Sequence, residues 1–483
     1  MVKIVRLLAA AALLVAAPAR AAFYAAAGKA DVTPDLEHES AWLAGFGATG
    51  RKATGVHDPL YARALVMSDG KKTVALVAVD CIGLYREDVE RMRRAAGWSG
   101  DDKYLFVSAT HEHSGPDTLG LWGRFPGVSG VDKRYHDRLI KAVADLVSDL
   151  SSRMQEATLA AARTDLDAHG LTRDLRDPVV IDPELDVVQV RPKSGGKPIG
   201  TLVRWSSHPE TSRADDTLLT ADYPGQLCAR VEDKTGGACV FQNGIIGGLL
   251  VPDSDHSSEK QFDEGKRLGF TVADAALKTV AGAPAQAAPE VAWKSELVRL
   301  PVENSIYLAV LPNLTFGHKI FSHDGAPLPR WKAFYLAVRH LILFPLPERL
   351  RPWVETEVSY VKVGPVEFLG IPGELLPELA IGGYDGKYRF GFPLVSPTNP
   401  NPPKLDQAPK GPYLREKLHN RVAILVGLAN DELGYIIPAY DFQTTPTRTM
   451  TPHPPGTHYE ETNSIGRSAT KIILGAFDEL LKK

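Results

Sequence analysis

Seven apolar runs of five to eight residues, Thr73–Asp80, Tyr104–Ser108, Leu185–Val190, Gly200–Trp205, Ala238–Gln242, Val366–Gly370 and Val422–Gly427, are interleaved with segments of helical period. Runs of that length bounded by turn residues read as buried strands. Between them, Leu139, Val143, Leu146, Val147 and Leu150 recur at three- and four-residue steps, and Phe262–Val280 repeats the pattern. Strands alternating with amphipathic helices predict an α/β fold. No fixed-period repeat interrupts this order. Ala281–Pro289, rich in Ala and Pro, reads as a link between subdomains or a surface loop. The Pro-rich stretches Gly391–Pro412 and Thr445–Gly456 are too long for tight turns and read as rims, lids or passive surface loops.

The N-terminus has the parts of a secretory signal peptide. Lys3 and Arg6 precede the apolar run Leu7–Ala17, and Ala19-Arg-Ala21 offers a cleavage site, so residues 1–21 are expected to be removed and 22–483 to form one mature domain. That cut removes Lys3, Arg6 and Arg20 and takes the net charge from −3 to −6. Such acidity argues against nucleic acid as a partner, and nothing in the sequence marks an obligate protein partner. Export to the periplasm or the medium permits disulfides, and Cys228 and Cys239 flank the turn-like Lys234–Gly237, so a bond between them is expected. Cys81, at the end of a strand-like run, reads as a small buried hydrophobe.

Ionisable residues gather at the ends of these strands. After Tyr104–Ser108 the chain reads Ala109-Thr-His111-Glu-His113-Ser-Gly-Pro116, and side chains two apart on extended backbone face the same way. Histidine is both a frequent zinc ligand and the usual proton carrier near neutral pH, so the pair suggests a metal site, a base or both, against a hydrogen-bonded structural role. His208 follows Gly200–Trp205 in Ser207-His208-Pro, and Glu374 follows Val366–Gly370 in Ile371-Pro-Gly-Glu374. Two histidines and a carboxylate, with a position left for water or substrate, form a common catalytic zinc shell.

The ordered segments Ala27-Gly-Lys-Ala-Asp31-Val-Thr-Pro34, Leu43-Ala-Gly-Phe-Gly47, Gly55-Val-His57-Asp-Pro-Leu-Tyr-Ala-Arg63, Ser108–Pro116, Ser207-His208-Pro, Gln242-Asn-Gly244, Pro372-Gly-Glu374, Leu428–Tyr435 and His458-Tyr459-Glu460 resemble the catalytic domain of neutral/alkaline non-lysosomal ceramidases. The resemblance implies a mixed-sheet α/β catalytic domain with one zinc ion per chain, held by His111, His208, Glu374 and Tyr459. It implies that His113 faces the reacting amide and that Tyr435 and an arginine bind the oxyanion or the polar head of the substrate. Arg173 is the matching arginine, with Arg176 three residues on as the alternative; either could instead form a salt bridge with a neighbouring Asp. Two departures stand out. The family loop Asn-x-Gly-Asp-Val-Ser-Pro is replaced by Asn243-Gly-Ile-Ile-Gly247-Gly248-Leu-Leu250-Val-Pro252, so Gly248 and Leu250 stand where Asp and Ser are expected and the next hydroxyl is Ser254. The family's C-terminal β-sandwich domain is also expected to be missing.

By this resemblance the function is an exported zinc amidohydrolase that cleaves the N-acyl amide of ceramide or a related lipid by metal-activated water. Leu250 in place of a hydroxyl predicts a more apolar wall and a plainer lipid amide or ester as substrate. Zinc hydrolysis of a non-sphingoid compound, or lipid binding with weakened turnover, are the alternatives. Trp331–Pro345, aromatic, apolar and partly basic, suits a helix at a membrane interface or over an apolar pocket, against an ordinary core helix, and makes peripheral membrane contact an expectation.

Overall fold

A strand such as Thr73–Val79 (TVALVAV) is apolar at nearly every position, so both of its faces must be covered. The computed structural model, which describes residues 22–255, 257, 259–314, 317–342, 346–443, 456 and 458–482, covers them in four layers. The expected signal peptide and residues 445–455 of the second Pro-rich stretch lie outside the described residues.

The first sheet has eight principal strands: β1 (Tyr24–Asp31), β2 (Tyr61–Ser68), β3 (Thr73–Val79), β4 (Lys103–Ala109), β5 (Gln155–Asp165), β6 (Glu184–Pro192), β7 (Gly200–Trp205) and β8 (Ala238–Asn243). Their order is β8-β7-β6-β5-β1-β2-β3-β4, with Ala285–Gln286 paired to β5 as a ninth strand. The second sheet is built on β9 (Val291–Pro301), β10 (Trp353–Val363), β11 (Val366–Gly370) and β12 (Val422–Val426), extended by Ile320–Phe321 and Pro327–Leu328. The sheets face each other. Alternate residues of β2, β3 and β4, Leu65, Val74, Leu76 and Phe106 among them, pack against Val361, Phe368, Ile424 and Val426. The intervening residues, such as Val66, Val77 and Val107, point to the opposite face and meet helices Arg86–Ala95 (α1) and Lys133–Ser152 (α2). Helices Asp222–Thr235 (α3) and Gln261–Val280 (α4) cover the other half of that face. Ser305–Leu314 (α5), Arg330–Ile342 (α6) and Ala469–Lys482 (α7) cover the outer face of the second sheet. Period-two alternation with apolar residues on both sides is what places a sheet in the interior of such a sandwich.

All seven expected strands are present within two residues at each end. β1, β2, β5, β9 and β10 are additional to that expectation. β1 (YAAAGKAD) and β5 (QEATLAAARTD) are alanine-rich, with little intrinsic strand preference, and pairing to stronger neighbours decides their conformation. Ala281–Pro289 is the exposed connection between the two sheets.

Two expectations need correction or choice. Cys228 on α3 and Cys239 on β8 are not bonded to each other; both thiols are free and buried in one apolar cluster, and burial pushes the Cys239 thiol well up. They serve as small apolar side chains, as Cys81 does. Helix α6 is not an ordinary core helix, because its buried positions are Ala333, Leu336, Ala337 and His340 while its aromatic residues face outward.

Candidate metal centre

Within the two main sheets, among the described residues, three strand pairs run parallel: β3 with β4, β7 with β8, and β11 with β12. Their C-terminal ends meet. Ala109 N donates to Leu428 O (3.2 Å), Gly427 N to Asn243 O (3.2 Å), and the Asn243 amide to Thr110 O and Ser207 O (3.1 and 2.9 Å). The loops that carry His111, His208, Glu374 and Tyr435 are therefore stitched to one another by backbone hydrogen bonds and by the Asn243 side chain.

His111 leaves β4 at φ 70°, a left-handed conformation costly for a side-chain-bearing residue and tolerated where surrounding structure dictates it. Its Nδ1 lies 2.7 Å from Ile82 O. His208 Nδ1 lies 2.7 Å from Leu250 O, and the same carbonyl accepts the His208 backbone N–H at 2.7 Å. A carbonyl can only accept, so Nδ1 carries a proton in both rings and Nε2 is the nitrogen that faces the recess side. Those Nε2 atoms stand 3.5 and 3.1 Å from Glu374 Oε2. Glu374 is held by a parallel two-residue ladder that sets it opposite Tyr435, and Gly373, at φ 147°, lets the chain approach Gly434 where a Cβ would lie 2.6 Å from its carbonyl. Burial and the neighbouring histidines keep His111 well below the usual imidazole range. Burial also opposes charge on His208, but Glu374 and Glu210 outweigh it and raise that group. Two imidazole Nε2 atoms and a carboxylate converging on one point, the Nδ1 atoms fixed by backbone carbonyls, fit a divalent transition metal of the zinc type. His113 lies close enough that His111, His113 and His208 offer ligand atoms all within 4.8 Å of one another.

His113 has another partner, its Nδ1 lying 2.8 Å from Glu210 Oε1. Phe46 meets its ring edge-on at a centroid distance of 5.0 Å. Glu210 was not singled out in the sequence, yet its signal was available: it follows His208 at the same spacing by which His113 follows His111. Glu432, in the segment Leu428–Tyr435, also lines the recess, and burial together with Glu374 holds its carboxyl well above the usual range. Tyr435 and Tyr459 complete the floor, with ring centroids 6.3 Å apart. Burial raises both phenols, so each keeps its proton unless a cation lies close by. The recess, about 480 Å³ counting its mouth, is walled by Ile82, Tyr85, Leu119, Leu121, Trp122 and Tyr307. Its floor is polar and its walls are apolar.

The remaining expected residues fall elsewhere. Arg176 is buried against Asp441 (2.9 Å), Glu460 (2.6 Å) and Glu461 (3.3 Å), so the salt-bridge alternative describes it, and it braces the turn that carries Tyr459. Arg173 sits on Thr172–Asp174, paired to the Leu250–Pro252 strand that holds His208, and does not line the recess. Leu250 does not form the apolar wall expected of it: its side chain packs with Ala168 and Ile181, away from the recess, because the strand turns its carbonyl toward His208. At Gly248 a Cβ would lie 3.1 Å from the Asp174 carboxylate, so the acid of this neighbourhood comes from position 174. Ser254 is half-buried and is not among the recess residues.

Residues 23–254 match the family model described as neutral/alkaline non-lysosomal ceramidase, N-terminal. Over 423 residues the chain is 21% identical to the neutral ceramidase of Mycobacterium tuberculosis (strain ATCC 25618 / H37Rv), an alignment that takes in 72% of this chain and 64% of that protein. The chain thus spans under two thirds of that relative's length. The crystal structure of neutral ceramidase from Pseudomonas aeruginosa superposes with a TM-score of 0.64 at 16% identity, covering 95% of this chain and 74% of the other. A ceramidase complexed with C2 gives 0.63 at 15% identity, covering 95% and 75%. The mixed-sheet fold is shared with both, and residues 23–254 carry the N-terminal part of the neutral/alkaline non-lysosomal ceramidase family.

Proposed function

We propose that the protein is an exported, zinc-dependent amidohydrolase that cleaves the N-acyl amide of ceramide or a related lipid. The observation that carries this reading is the pair His111 and His208, each with Nδ1 on a backbone carbonyl and Nε2 directed at the Glu374 carboxylate. With Tyr459 they would hold one zinc ion, and Lewis acidity is what that ion supplies when bound, polarising a carbonyl and lowering the pKa of water to about 7. His113, oriented through Nδ1 by Glu210, takes a proton with its other nitrogen and returns it to the leaving amine. Glu210 stabilises the imidazolium formed in between. Tyr435, kept protonated by burial, donates a hydrogen bond to the developing oxyanion. The apolar walls accept an acyl chain and exclude water, which strengthens these interactions.

The test is zinc content by elemental analysis of the protein and of His111→Ala, with hydrolysis of a fluorogenic N-acyl sphingosine followed in the same samples. About one zinc per wild-type chain, lost with turnover in the variant, is expected. Zinc without turnover would remove the amide substrate from the proposal, and a protein without zinc would remove the metal centre.

A further inference from the structure

Helix α6 is amphipathic the wrong way round for a core helix. Ala333, Leu336, Ala337 and His340 face inward, whereas Trp331 (67% exposed), Phe334 (64%), Tyr335 (43%), Val338 (38%) and Ile342 (73%) face solvent at steps of three and four residues. Five of the eleven large exposed apolar side chains among the described residues lie on this one stripe. Contiguous apolar patches of this kind mark interaction surfaces. The helix also carries Arg330, Lys332 and Arg339 and no acidic residue, in a chain of net charge −3. Lys332 Nζ lies 4.9 Å from the Tyr335 ring centroid and 5.6 Å from that of Trp331, and Arg339 donates to the Tyr335 hydroxyl at 2.9 Å. The basic groups thus stand at the level of the aromatic rings.

We propose that this face of α6 docks the protein on an anionic lipid surface. Trp and Tyr favour the bilayer interface, Phe and Ile enter the acyl boundary, and the basic side chains meet anionic headgroups. Charge complementarity selects this occupant over an uncharged partner. Position selects it as well: α6 packs on α5, whose Tyr307 lines the recess, so one helical pair joins the exposed stripe to the recess wall. No described helix is long and apolar enough to cross a membrane, so the contact is peripheral. The proposal does not depend on the reaction catalysed.

The test is flotation of the full chain with vesicles of equal parts phosphatidylcholine and phosphatidylglycerol, and with vesicles of phosphatidylcholine alone, neither containing an N-acyl amide. Binding is expected to the anionic vesicles and to weaken with salt. Phe334→Asp should lower it about tenfold or more, as loss of one buried apolar side chain implies. Lys332→Gln should lower it about fivefold. Phe334 is exposed and Lys332 half-buried with its ammonium against the Tyr335 ring, so unfolding midpoints close to wild type are expected; Trp331→Gln provides a second, milder probe of the stripe. No binding to anionic vesicles, or binding that Phe334→Asp and Trp331→Gln leave unchanged, would overturn the proposal. So would sedimentation showing a wild-type dimer that Phe334→Asp dissociates, since the stripe would then be a self-association surface. Because the vesicles hold no substrate, each of these results leaves the hydrolase reading standing or falling on its own assay.

Discussion

Gly45→Ala is a sharp test of His113 because it moves that ring without touching His111, His208 or Glu374. Gly45 has φ 94°, and a Cβ built there would overlap the His113 ring and lie 2.8 Å from its Cβ. Non-overlap requires several tenths of an ångström to an ångström of displacement, and His113 has little room to retreat, with Phe46 edge-on and Glu210 2.8 Å away. The left-handed backbone adds roughly 1–3 kcal/mol of strain for an alanine. Misplacement of a catalytic group by about 1 Å costs on the order of 10²-fold, within the 10²–10⁴ that general acid–base catalysis supplies. Turnover of a fluorogenic N-acyl amide should therefore fall about 10²-fold in Gly45→Ala while zinc content stays at the wild-type level, since the Nδ1 anchors of His111 and His208 are the carbonyls of Ile82 and Leu250. His113→Ala should fall at least as far, and the double variant little further, because the two changes disable the same group. Wild-type turnover in Gly45→Ala, or a double variant whose loss is the product of the two single ones, refutes the role given to His113.

Four further outcomes follow from the same geometry. Arg176→Met leaves Asp441, Glu460 and Glu461 facing one another without their cation, and should cost about 3–5 kcal/mol in denaturant unfolding. Burial raises the Glu378 carboxyl from 4.5 to about 8, so between those pH values the folded chain keeps a proton that the unfolded chain has released. Stability should fall as pH rises through that window, by up to about 1.4 kcal/mol per pH unit, and Glu378→Gln should flatten this part of the pH–stability curve. Leu250→Ser should not sharpen activity on sphingoid amides, because the side chain lies with Ala168 and Ile181; a loss of about 2–4 kcal/mol in stability without a change in substrate ranking is expected, measured by chemical unfolding and a substrate panel. Chelation should abolish turnover and lower the melting midpoint, with zinc restoring both, since saturation a thousandfold above Kd stabilises a folded chain by about 4 kcal/mol.

The convergence of His111, His208 and Glu374 was legible in the sequence because each occupies the same address. His111, His208 and Glu374 all follow an apolar strand through a turn, and parallel pairing of β3 with β4, β7 with β8 and β11 with β12 brings those addresses to one edge of the stacked sheets. Tyr459 and Tyr435 were reached only through resemblance, since neither their spacing nor their surroundings in sequence signals a shared floor. Arg176 shows why arginine roles resist this reading. Its three acidic partners lie 265 to 285 residues away, so nothing near it in the chain reveals that its charge is spent on packing the Tyr459 turn. The strands without an apolar run, β1 and β5, were invisible for a related reason, their conformation being imposed by neighbours.

Leu250 carries the more general point. As a side chain it departs from the family pattern, and a reading of side chains alone places an apolar wall beside the reacting amide. In the fold, position 250 acts through its carbonyl, which accepts both the backbone N–H and the Nδ1–H of His208. Any residue supplies that carbonyl, so the anchoring of His208 can persist while the side chain changes. The glycines beside it follow the same logic in reverse: Gly247 donates its N–H to Leu375 O at 2.9 Å, and Gly248 leaves space for the Asp174 carboxylate. This loop is thus used here mainly as backbone. Its hydrogen bonds to His208 and Leu375 fix its path, and under the proposed function substrate preference must be sought in the groups that line the recess, Leu119, Leu121, Trp122 and Tyr307 foremost.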